Sequence, residues 1–125
     1  MNYPLTEQDM LEFAMTHVGQ ELHDLGLKFI EINSTEKKQP QFVCVDEDQQ
    51  HYYVVVNAVK LPINPYKYNV VWMELFKHQA KLQNAKVLYA GVGLSNIEDE
   101  TLPIYLDEGY LMKYTGIQSV ETYLN

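Results

Sequence analysis

The sequence predicts a mixed α/β (α+β) fold, a single β-sheet flanked by helices in the order α-β-β-β-α-β. Three observations carry that expectation. Behind Thr6, Leu11, Ala14, Met15, Val18, Leu22 and Leu25 recur at helical spacing. Residues 41–59, "QFVCVDEDQQHYYVVVNAV", read as two strands joined by an acidic turn. A second helical stretch then leads into the apolar run "KVLYAGVGL".

The elements follow in chain order. Thr6 suits a helix N-cap, and Glu7 and Asp9 place acids where the helix dipole favours them. Gly26 supplies the C-cap, giving a helix of about five turns. "LKFIEIN" (27–33) reads as the first strand and "QFVCVD" (41–46) as the second. The third, "HYYVVVNAV" (51–59), has a nearly continuous β-branched run, as expected of a central strand buried on both faces. Pro62 and Pro65 break the next segment into a loop, and Asn69 caps a second helix over 70–85. On that helix Val71, Leu75, Ala80 and Leu82 are expected to face the core. Residues 86–94 form the fourth strand. Asp107-Glu108-Gly109 predicts a terminal hairpin, with a last short helix beyond it.

A chain of 125 residues fits one domain, 1–125, with a core over about 6–94 and a C-terminal addition over 102–125. The N-terminus has neither a basic nor an apolar signal region, and no apolar run is long enough to span a bilayer. The one cysteine, Cys44, precludes an internal disulfide and reads as a buried small hydrophobe. These features point to a cytoplasmic protein.

The formal net charge is −8, and all nine basic residues are lysine. Phosphate neutralisation dominates nucleic-acid affinity, and arginine supplies much of base recognition. An acidic, arginine-free chain is therefore a poor autonomous nucleic-acid binder. Of its lysines, only Lys77 and Lys81 share a helix face.

The element order, with "HDLGLKFIEIN", "QFVCVDED" and "YYVVVN" at its scaffold positions, is similar to the PD-(D/E)xK (restriction-endonuclease-like) superfamily. It most closely resembles small resolvase-like members, over residues 10 to 94. In that superfamily, carboxylates on adjoining strands hold divalent cations and a lysine polarises the attacking water. Carried onto this chain, the second-strand Asp falls on Gln41, the Glu-x-Lys pair on Val55 and Asn57, and the helix Glu near Met15. None of these side chains is a carboxylate or an amine. The resemblance thus implies a nuclease-like domain with a degenerate site, no cofactor, and a role in protein interaction or as a homodimer. The alternative is a Mg²⁺-dependent nuclease using relocated acids, Glu31, Asp46 and Asp48.

The chain also resembles short uncharacterised proteins, sharing "PQFV…YYVVV" and "VLYAGVGLSN", that sometimes carry the label of a sodium-translocating NADH:quinone reductase component. The genuine component needs four cysteines for its iron–sulfur cluster, and this chain has one.

Other candidates are weaker. His17 and Glu21 stand four apart on the first helix without a third ligand and read as a surface pair. His78 has no evident partner, and Ser34, Ser95 and Ser119 lack a nucleophile context. Gly91-x-Gly93 lacks the third glycine of a phosphate loop and reads as a tight strand end. The tyrosines (Tyr52, Tyr53, Tyr66, Tyr68, Tyr105, Tyr110 and Tyr114), with Trp72, suit an interface, although half-buried strand edges would use them equally.

Overall fold

A computed structural model describes residues 3–35 and 38–120. Helix α1 spans Glu7–Asp24. The Thr6 side chain accepts from the Asp9 backbone, and Asp9 accepts from the Thr6 backbone, so two otherwise orphaned N–H groups are satisfied reciprocally. Gly26, at φ +86°, ends the helix in a conformation that favours glycine. Leu11, Ala14, Met15, Val18 and Leu22 are buried as the spacing predicts, whereas Leu25, in the cap itself, is exposed.

One mixed sheet contains all six described strands: β1 (Lys28–Ile32), β2 (Phe42–Val45), β3 (His51–Lys60), β4 (Ala85–Asn96), β5 (Tyr110–Lys113) and β6 (Gln118–Ser119). β1, β2 and β3 form an antiparallel meander, and β3 pairs β4 in parallel over ten residues. The crossover between those two strands is helix α2 (Val70–Leu82), since parallel neighbours need a long connection. β3 is central as expected. Val54 and Val56 face α1, with Phe42, Cys44, Ala90 and Val92, while Val55 faces α2, with Met73, Ala80, Val87 and Tyr89. This two-sided burial is why its apolar run does not alternate.

Three expectations are corrected. First, of the four residues expected on the core face of α2 only Ala80 is buried. Met73, Phe76 and Ala80 point inward, with Phe76 against Tyr53, while Val71 (72%) and Leu75 (63%) are exposed, as is Leu82. Apolar residues occupy both sides of this helix, and the small Ala80 and flexible Met73 fit the close approach to β3 and β4 better than branched Val71.

Second, Asp107-Glu108-Gly109 does not close a hairpin. Leu106–Glu108 form a short 3-10 turn, and β5 and β6 pair β4 instead of residues before the turn. Together they make an interrupted edge strand held to α1 by one carboxylate: Glu21 accepts from the Tyr114 hydroxyl and from the Ile117 N–H (3.4 Å). The expected last helix lies outside the described residues.

Third, β4 does not end at Gly91 or Gly93 but runs through both to Asn96. A Cβ at Gly91 would lie 1.9 Å from the Pro65 carbonyl oxygen, and one at Gly93 would lie 2.6 Å from Leu61. The glycines admit the proline loop onto the sheet face. The Tyr89 hydroxyl donates to the same Pro65 carbonyl (2.7 Å), pinning the loop there.

α1 sits over β3 and β4, and α2 sits over β4 with its side chains reaching Val55 and Tyr53 of β3. β1 therefore projects beyond them, and all five of its residues are exposed.

Candidate functional site

The positions that the sequence resemblance singled out do not assemble into one cleft. Met15 is buried in the α1-side core, on the opposite face of the sheet from Val55. Val55 and Asn57, two apart on β3, do line one pocket of about 310 Å³. Its walls come from the start of α2 and the proline loop, with Trp72, Tyr68, Lys67 and Tyr89. The Asn57 amide donates to the Tyr89 hydroxyl (3.2 Å), which in turn donates to Pro65. Burial raises the Tyr89 pKa, so its hydroxyl keeps the proton that holds this chain of bonds.

Gln41 is fully buried and serves the backbone. β2 begins at Phe42, paired with Val54, so the next β3 amide lies beyond the end of the β2 ladder. The Gln41 carboxamide oxygen accepts that amide, Val56 N–H, at 2.8 Å. Its own backbone N–H bonds Val54 (3.0 Å), and its carbonyl accepts from Asn33 (2.7 Å). One glutamine thus completes the hydrogen bonding of a strand that has ended, as a buried amide requires.

The acids of the alternative nuclease reading lie apart. Glu31 is exposed on β1 and lines a groove of about 420 Å³ with Val43, Tyr53 and Phe76 on the α2 side. Asp46 closes the β2–β3 turn: it accepts from the backbones of Asp48 and Gln50 (2.9 Å each) and from the Tyr52 hydroxyl (3.0 Å), whose ring packs on the α1-side core. The Gln50 backbone bond, followed by Tyr52, Asp48 and Lys86, holds the Asp46 carboxyl below its usual pKa. Asp48 is exposed in the same turn. Among the described residues no three His, Cys, Asp or Glu side chains gather where a metal ion could sit.

Of the remaining candidates, Glu21 is not a surface partner of His17. It clasps the edge strand, and His17 packs at a tilt against the Phe13 ring and bonds the Phe13 carbonyl. Cys44 is buried, and desolvation pushes its thiol up to about 11, so it is no nucleophile. The tyrosines divide: Tyr110 packs edge-on to Phe13, Tyr68 on Tyr89, and Trp72 stacks on Phe76, while the Tyr52 and Tyr114 hydroxyls bond carboxylates.

A family model described as a domain of unknown function, DUF8840, matches residues 8–120. The chain belongs to this family. No curated protein matches it. The DUF8840 match takes in all six described strands and nearly all of α1, and so includes Gln41, the proline loop and both exposed faces. No helix among the described residues is long and apolar enough to cross a membrane.

What the sequence reading missed is the outward side of α2, the anchoring role of Glu21 and the backbone role of Gln41. The second had a signal in Tyr114, a residue with a polar tip near an acid-bearing helix. The other two depend on helix rotation and on where β2 stops.

Proposed function

We propose that this DUF8840 chain is a restriction-endonuclease-like domain that has exchanged catalysis for self-association, and that it pairs with a second copy through β1. The meander followed by a parallel β3–α2–β4 unit supports the fold assignment. Support for the loss of catalysis comes from the work the substituted residues do. Gln41 caps a backbone amide, Asn57 orders Tyr89, and Met15 fills the core. A metal-binding side chain at any of these positions would have to give up that role.

The observation that carries the interaction reading is the bare β1 edge. Ile30 (55%) and Ile32 (58%) are exposed on a strand whose outer N–H and C=O groups face no described strand. Such an edge templates further pairing. A two-fold antiparallel pairing that sets Lys28 of one copy against Glu31 of the other places opposite charges across the seam twice, which favours that register. The neighbouring groove and the outward side of α2, with Leu82 lining the groove, extend the apolar surface beside it.

Light scattering on the full chain tests this reading. The expected species has twice the monomer mass at micromolar concentration. Ile30→Lys with Ile32→Lys is expected to weaken the pairing about tenfold or more, with unchanged circular dichroism because both side chains are exposed. A monomer at about 100 µM, weaker than any specific pairing of this class, overturns the proposal, as does a dimer indifferent to the double substitution.

A further inference from the structure

A cavity of about 620 Å³ lies between the C-terminal half of α2 and the start of β4. We propose that it binds a small organic anion, a phosphate or carboxylate carried on an apolar body. Lys77, His78 and Lys81 line it from the helix, and Lys86 joins them from β4. With Glu74, the helical residues stand at i, i+3, i+4 and i+7, one stripe facing the pocket.

Three of the nine lysines line this one cavity in a chain whose net charge is −8. They line it against one acid, Glu74. Lys77 and Lys81, four apart, are a like-charge pair that weakens the isolated helix. A bound anion between ammonium groups gains charge-assisted hydrogen bonds. The α2-side wall is apolar: Ala85 and Val87 are buried there, with Val120 packed against them. A volume within the usual range for ligand pockets, a charged rim and an apolar wall select an anionic head on an apolar body over a bare ion. The pocket shares no residue with β1 or with the groove beside it, so the site does not rest on the self-association reading.

The full chain, ¹⁵N-labelled, tests this by NMR titration with phenyl phosphate and with benzoate, and with inorganic phosphate as the control. Saturable shifts of the Lys81, Lys86 and Leu88 amides are expected with at least one organic probe, the tighter of the two identifying the head group. That probe is expected to bind about tenfold more tightly than inorganic phosphate, and Lys81→Gln with Lys86→Gln to weaken it about tenfold or more, the loss of one or two charge-assisted bonds. Both lysines are exposed, so the variant retains the fold. The proposal is overturned if neither organic probe gives a saturable shift, if inorganic phosphate binds as tightly, or if the double variant binds as the parent does.

Discussion

Replacing Gln41 by methionine isolates what its buried carboxamide contributes. Methionine has nearly the same length and volume and leaves no large cavity, so the change is mainly the loss of hydrogen bonds. The Val56 N–H, now bonded at 2.8 Å, loses its acceptor on a residue that is only 3% exposed. An orphaned buried amide costs about 1–3 kcal/mol. The carboxamide nitrogen reaches the Thr35 and Lys38 carbonyls only at 3.4 and 3.5 Å, so those bonds add little. For a domain of this size each kcal/mol lowers Tm by roughly 3–5 °C, which gives a fall of roughly 3–15 °C. Urea unfolding followed by circular dichroism measures the energy, with an unchanged m-value showing that the unfolded state is unaltered. Hydrogen exchange should show the Val56 amide losing protection selectively. Gln41→Asp, which restores the acid that the nuclease resemblance expects, should cost more, because a shorter and charged side chain is then buried without its partner. A Gln41→Met variant within about 0.5 kcal/mol of the parent, with Val56 still protected, would refute this account.

Two further outcomes follow from the same packing. Gly91→Ala places a Cβ 1.9 Å from the Pro65 oxygen, so the proline loop must lift from β4; a loss of several kcal/mol, about 3 or more, is expected in thermal unfolding, together with exchange of the Tyr89 hydroxyl contact for water. For Asp46, the folded carboxyl binds its proton more weakly than the ordinary value of 3.8, chiefly because of the Gln50 N–H. Its stabilisation is therefore fully present above that value and is lost as pH falls through the lower folded one. Asp46→Asn should lower stability at neutral pH and flatten the acid limb of the stability–pH curve below about pH 4; an unchanged acid limb would count against the Asp46 turn as its source.

The parts of the fold that were legible in the sequence are those with local causes. Thr6, Asp9 and Gly26 mark both ends of α1, and its buried stripe repeats at a single period. The uninterrupted valines of β3 announce burial on two faces because side chains of both helices reach it. The rotation of α2 was not legible, since Val71 and Leu75 are as apolar as Met73 and Phe76, and only contact with Tyr53 and Tyr89 chooses between the sides. The turn at 107–109 was recognised, but the partner of the strand that follows is β4, which no local turn signal specifies. Gln41 could be flagged only as a missing acid. Its bond to a residue fifteen positions away depends on where the β2 ladder stops, at Phe42.

The two margins of the sheet are unlike, and that has a consequence for stoichiometry. The β5–β6 margin is interrupted between residues 113 and 118 and tethered to α1 by Glu21, so it offers a short, broken template. The β1 margin is one unbroken strand, Lys28–Ile32, with a single irregularity in its register between Phe29 and Glu31, and no described strand covers it. If copies join only through β1, a two-fold pairing consumes the one competent margin of each and leaves nothing to which a third copy can add. Growth then terminates at two. By that logic, cutting the Glu21 clasp frees the opposite margin and gives the pair two new ends from which longer, open-ended assemblies can extend.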